Sequence, residues 1–375
     1  MSRQAGGRTG KAGLALLGAA VMLSMTACSS GETEARQVIE QAGTRITVMD
    51  NTSESVYTRL QLEGIDKVAD MRSMDWVSED IIVVDKENRS LSPQLIEGLE
   101  QYPHNLYLHN LSTGEDTPLQ EGDQNYGAAQ VSPDKRYVAY KETNEMVGLG
   151  YIRDLESGSA VKVDEAPFRV EEGEWADDGR FVFPGMDGVV YRTDVQGAKE
   201  AVVESGESYV HEVVQSGGIL YYVTGEDMGL TAYDTDSKQS KVLKQSVVWV
   251  APSPDGSRLA IVKRTRPGEM VLMLCDSEGN ELAELASGQQ VFGTSWSPDG
   301  SKLSYSLTAE NPSDDQNGVF ITELESGEQT QLLSDIEIAD QLRWSPSGRK
   351  LLASAVAVKD NKYESTTYVI RLSQP

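Results

Sequence analysis

The stretch WSPDGSKLSY, running from Trp296 to Tyr305, decides how this chain is read. Pro298 presets φ, Asp299 caps its own turn and Gly300 accepts a positive φ, so SPDG encodes a tight hairpin turn. The residues that follow alternate or run apolar, as a half-buried strand requires. The same turn and strand recur as VSPDKRYVAY at Val131, WADDGRFVF at Trp175, PSPDGSRLAIV at Pro252 and WSPSGRKLLAS at Trp344. Weaker copies stand at Trp76 (WVSEDIIVV) and Gln215 (QSGGILYYV). In most units a second strand and tight turn follow. They read YLHNLSTGE at Tyr107, YIRDLESGS at Tyr151, YRTDVQGAK at Tyr191, AYDTDSKQS at Ala232, MLCDSEGNE at Met273 and FITELESGE at Phe320, with a truncated YVIRLSQP at Tyr368.

Gly114, Gly158, Gly197, Lys238, Gly279 and Gly327 hold equivalent turn positions, separated by 44, 39, 41, 41 and 48 residues. The period averages about 43, and the segment from Lys67 onward holds about seven units. A chain of 375 residues would by length alone suggest two or three domains. The repeat argues instead for one closed domain. Each unit reads as four short antiparallel strands, and a period near 43 with four strands per unit is the signature of a β-propeller. One four-stranded sheet cannot bury both faces, whereas a ring of neighbours does so and removes free edges. The expected fold is therefore all-β: a seven-bladed β-propeller of four-stranded antiparallel blades over residues 56–375. Six blades are the alternative, because the units at Trp76 and Gln215 are degenerate. The last unit has no residues left for an outermost strand. A segment within residues 56–74, centred on Lys67–Met71, is expected to close the ring beside Tyr368–Leu372. Trp76, Trp175, Trp296 and Trp344 recur at one repeat position and read as packing between blades; Trp249 is out of phase.

The SPDG strings and their strands resemble the TolB-like, or PD40 (WD40-like), propeller repeat over nearly all of the chain after its leader. The resemblance implies a fold and leaves function open, since such rings serve many roles. TolB itself carries an N-terminal α/β domain. The segment from Cys28 to about Asp66 is too short for one, so the Tol role is not carried over. Before it stand Arg3, Arg8 and Lys11, then an apolar run from Gly13 to Leu23, too short to span a bilayer as a helix. Met25-Thr26-Ala27-Cys28 follows and resembles the lipobox of bacterial lipoproteins, which prefers Leu where Met25 stands. This resemblance implies a signal peptide over 1–27, a diacylated Cys28, a linker over 28–55 and a membrane-anchored protein on the extracytoplasmic face. An ordinary secretory signal is the other reading.

The formal net charge is −26, from 33 basic and 59 acidic residues, and loss of the leader makes it −29. That acidity excludes a nucleic-acid binder, and it excludes docking on anionic lipid other than through the anchor. Two cysteines and three histidines (His104, His109, His211) leave little for a zinc site or a disulfide framework. Cys275, in VLMLC, reads as a buried thiol. G-x-S-x-G, H-E-x-x-H and C-x-x-C are absent. The acidic loops at Asp234 and Ser313 lack the Gly and Glu of a calcium loop. Oligogalacturonate lyases are also seven-bladed but use several histidines with a metal, and three scattered histidines argue against that chemistry. Paired carboxylates give no specific signal among so many. The expectation is thus a non-enzyme, with no catalytic residue, no metal and no cofactor.

In a four-stranded meander the first and third turns lie on one face and the second turns on the other. The first and third turns are short and stereotyped here. The second turns vary: KENRSLSPQLIEGLEQYPHN from Lys86, TNEMVG from Thr143, RTRPGE from Arg264, TAENPSDDQNG from Thr308 and VKDNKYES from Val358. Variable loops on a rigid scaffold are where recognition resides. In the first of these, Ser92 as N-cap and Pro93 after it predict a short helix. Tyr102, His104, Lys263, Arg264 and Arg266 are the candidate binding residues, for an acidic ligand or partner loop. The three basic ones otherwise balance neighbouring carboxylates. The functional expectation is a monomeric lipoprotein binding a protein or envelope polymer through this face. The alternative is a polysaccharide-active enzyme with a funnel site at the ring axis.

Overall fold

The computed structural model describes residues 60–373 apart from 97–98, 145, 208, 310–316 and 360–361, and also the backbone of two short strands nearer the N-terminus. Those two, Arg36–Gln41 and Thr44–Met49, form an antiparallel pair in a small unit of their own. Cys28 lies outside the described residues.

Seven antiparallel four-stranded sheets follow one another along the chain. Blade 1 spans residues 72–120, blade 2 125–162, blade 3 174–204, blade 4 210–244, blade 5 247–288 and blade 6 290–334. Blade 7 takes Arg343–Trp344, Lys350–Lys359 and Lys362–Ser373, and its fourth strand is Gln61–Ala69. The degenerate units at Trp76 and Gln215 belong to complete blades, so the ring has seven. In the closing pair Ile65 faces Ile370 and Lys67 faces Tyr368. Leu60 and Ile65 pack there with Trp344, Leu351, Ile370 and Leu372 in one apolar cluster.

The SPDG turn owes its recurrence to a local network. Ser297 Oγ accepts the N–H of Lys302 (2.9 Å) and donates to Asp299 Oδ1 (2.6 Å), which in turn accepts the N–H of Ser301 (3.0 Å). Ser253–Asp255 and Ser132–Asp134 repeat it. These hydrogen bonds act on the carboxyls. The Ser253 hydroxyl, helped by Ser257, holds Asp255 down at about 2. Burial pushes Asp299 up, but Ser297 and Ser301 outweigh it and bring it to about 2 as well. A carboxyl depressed in the folded state stabilises the fold above its unfolded value near 4, and that contribution is lost as pH falls towards 2. The melting temperature is therefore expected to fall between pH 4 and pH 2. A D255N/D299N double variant, followed by thermal melts, should fall less steeply.

The third turns share a left-handed residue, from φ +71° at Gly327 to +85° at Gly279, and Lys238 adopts the same conformation at +59°. Lys238 therefore marks the period as well as any glycine does. Gly327, at φ +71°, has no neighbour that a methyl group would meet. Gly327→Ala should cost about 1–2 kcal/mol through backbone strain alone, which chemical denaturation can measure.

The recurrent tryptophans join blades. Trp76 Nε1 donates to Arg343 O (2.9 Å), Trp175 to Gln130 O (3.1 Å), Trp296 to Ala251 O (2.9 Å) and Trp344 to Ser295 O (3.2 Å). Each ring thus binds the innermost strand of the preceding blade.

The insert after Lys86 departs from the sequence reading. Among its described residues it holds no helix: Gln94–Ile96 pairs with Leu99–Gln101, and Glu100 then pairs in parallel with Lys362 of blade 7. Pairing with the adjacent blade overrides the local capping signal.

Candidate axial site

Counting back four residues from each first-turn position gives Ser73, Ala128, Glu172, Glu212, Trp249, Gly293 and Gln341. Counting back two gives Asp75, Gln130, Glu174, Val214, Ala251, Ser295 and Arg343. These residues lie at or beside the innermost strands, which converge on the axis. Five of those strands carry a register shift at this point. Such bulges re-aim side chains. Glu212 sits in one of them with φ +53°, a left-handed conformation that is uncommon away from glycine.

A cavity of about 390 Å³ lies here, walled by Glu172, Glu174, Glu212, Trp249, Thr294 and Gln341. Its rim includes Pro133, Asp177, Ser253 and Pro254 of the first turns, and no residue of the second turns. Recognition had been expected on the opposite face.

The wall is dense in charge. Glu174 meets Arg343 of blade 7 at 3.7 Å. Lys141 is buried and donates its Nζ to two carbonyl oxygens, Val170 O and Glu172 O, both at 2.6 Å. Glu172 Oε1 accepts the backbone N–H of Glu212 (3.2 Å). Burial pushes the Glu172 carboxyl up to about 7 and raises Glu212 well above the carboxylate range, with Glu172 and Glu174 adding repulsion there. Burial also raises Glu174, against the pull of Arg343. It lowers Lys141 to about 8, with Glu172 opposing, and lowers His211 to about 4, with the Arg169 charge adding. Glu172, His211 and Glu212 each offer one donor atom, and these lie within 4.8 Å of one another.

Three polar atoms on this wall have no hydrogen-bond partner: Trp249 Nε1, Thr294 Oγ1 and Gln215 Oε1. Trp249 is thereby set apart from the four tryptophans that bond a neighbouring blade.

The residues singled out from the sequence lie elsewhere. His104 Nδ1 pairs with Asp85 Oδ1 (3.1 Å), and Arg72 links Asp85 (3.7 Å) to Asp340 of blade 7 (3.0 Å). Burial lowers the His104 pKa, but the Asp85 bond and charge outweigh it, so the net shift is upward. Tyr102 is half-buried just before it. Lys263 shares Glu281 with Lys244 (3.3 and 3.0 Å), Arg266 pairs with Glu269 (3.1 Å) and Arg264 is exposed; all three stand on blade 5. The structure brings His104 to Asp85 and Lys263 to Glu281, and does not bring the two groups together. None of the five lines the axial cavity. Cys275 is buried. Glu172, Glu212 and Trp249 were missed, although superposing the units and comparing the residues before each SPDG turn would have singled them out. The string EEGEW at Glu171 is the strongest such signal.

No family model matches the chain. Among solved structures it is similar to an oligogalacturonate lyase in complex with manganese, at 15% identity and TM-score 0.56, over 82% of this chain and 98% of that one. A chain of the mitotic checkpoint complex is similar at 17% identity and TM-score 0.56, over 88% and 99%. TolB from Acinetobacter baumannii is similar at 15% identity and TM-score 0.48, over 68% and 64%. The likeness is one of fold alone: a seven-bladed propeller.

The expectation of a non-enzyme is corrected here. It rested on missing linear motifs and on the lack of sequence for a separate catalytic module. A ring of this fold makes up nearly the whole of a manganese-bound lyase, so no separate module is needed. This chain also carries its own buried group of Glu172, His211 and Glu212.

Proposed function

We propose that this chain is a lipid-anchored protein of the extracytoplasmic membrane face that binds a saccharide of an envelope polymer in its axial cavity and acts on it there. The observation that carries this reading is the unpaired set Trp249 Nε1, Thr294 Oγ1 and Gln215 Oε1 on the cavity wall. A buried polar group left unpaired costs about 1–3 kcal/mol. Sugar hydroxyls both donate and accept, so one ligand class serves all three atoms, and an indole face suits the apolar side of a pyranose ring. The cavity volume lies within the range of small-molecule sites. The oligogalacturonate lyase, of the same fold, takes a saccharide by its name.

Charge narrows the class. A uronate chain is an anion and would meet Glu171, Glu172, Glu174 and Asp177 on the wall. A neutral or amino sugar avoids that repulsion and is the expected ligand. Glu172 and Glu212 are the groups nearest to chemistry. Location rests on the basic head, the apolar run and Cys28. A protein partner on the second-turn face is the second reading, supported by the long insert of blade 1.

Calorimetric titration of the detergent-released protein with neutral, amino and uronic oligosaccharides tests this, with chromatography of the products. Neutral or amino sugars should bind, and Trp249→Ala should weaken them at least tenfold while Lys263→Ala leaves them unchanged. A preference for uronates, or sugar binding indifferent to Trp249, would overturn the reading.

A further inference from the structure

We propose that Glu172, His211 and Glu212 bind a divalent cation of the manganese–zinc group at the axial cavity. Two carboxylates and one imidazole form a mixed oxygen and nitrogen donor set, which suits such ions better than calcium or magnesium. The donors come from adjacent blades, and their atoms already lie within 4.8 Å of one another. Metal bonds of about 2.1 Å at tetrahedral angles set donors roughly 3.4 Å apart, so side-chain rotation of about 1 Å completes the set.

The Glu172 and Glu212 carboxylates are not taken up by a side-chain cation. Lys141, the nearest buried cation, spends its hydrogen bonds on the carbonyl oxygens of Val170 and Glu172. Among the described residues no Lys or Arg lies within ion-pair distance of either carboxylate, whereas Glu174 has Arg343. A second, independent observation points to a ligand. Thr294 is wholly buried and Gln215 is 8% exposed, and both present an unpaired oxygen in the same cavity. Glu172 and Glu212 line the cavity, so an ion held by them is reached from it.

The test needs no sugar, so it fails or succeeds apart from the saccharide reading. Chelator-treated, detergent-released full chain is titrated with Mn²⁺ and with Zn²⁺ by calorimetry, and bound Mn²⁺ is followed by electron paramagnetic resonance. One site per chain is expected, with Mg²⁺ and Ca²⁺ at least tenfold weaker. Glu212→Gln and His211→Ala should each weaken binding about a hundredfold, while the surface variant Glu278→Gln leaves it unchanged. Circular dichroism establishes that each variant is folded, and wild-type titration alone decides the matter should one not fold. No saturable site in the wild type, equal affinity for Ca²⁺, or affinity that survives both variants would overturn the proposal, the last marking adventitious binding by an acidic surface.

Discussion

A chain shortened to begin at Met71 should lose cooperative unfolding at 25 °C, while one beginning at Thr58 should melt within a few degrees of the full chain. The shorter chain lacks Gln61–Ala69, so the outer edge of the last strand over Thr366–Ser373 is left without its partner. It also lacks Leu60 and Ile65, which pack against Ile370 and Leu372. Each buried aliphatic side chain contributes about 1.5–3 kcal/mol, and each ladder hydrogen bond about 1 kcal/mol. Nine residues of strand then weigh as much as a typical domain stability of about 5–15 kcal/mol. The bare edge would also recruit other chains, so size-exclusion should show association. A peptide covering residues 58–70, added in trans, should restore the calorimetric transition. An unchanged melting temperature in the shorter chain would refute closure by this strand.

The second large effect belongs to Trp76. It is wholly buried and bonds across the closure to Arg343 O. Trp76→Ala should cost about 3–5 kcal/mol, and Trp76→Phe about 1–2 kcal/mol, because the Arg343 carbonyl keeps its burial and loses its donor. Trp249→Phe should stay within about 0.5 kcal/mol, since its Nε1 has no bond to lose. Urea denaturation of the three variants checks the contrast. Equal losses at Trp76 and Trp249 on going to Phe would show that the two play one structural role.

The repeat was legible because its causes are local. Ser and Asp of the first turns of blades 2, 5 and 6 bond within a few residues, and the left-handed position of the third turns recurs with the period. Closure was legible from arithmetic, since the last unit lacked a strand. The insert after Lys86 was misread because Ser92 and Pro93 speak only of a helix start, while Glu100 finds its partner 262 positions away at Lys362. The axial site was hidden for a related reason. Glu172 and Glu212 stand 40 residues apart and meet only because consecutive blades share an axis. In a chain with 59 acidic residues, nothing short of superposing the units separates those two from solvated turn carboxylates. His211 read as one of three scattered histidines for the same reason.

Gln61 and Ser373, whose atoms meet in the closing pair, are 312 positions apart. Contacts of such separation form late and slowly. A partly synthesised chain therefore leaves Gln61–Ala69 unpaired, because among the described residues that strand pairs with Lys362–Ser373 alone. During synthesis the ring therefore stays open until Lys362–Ser373 has been made.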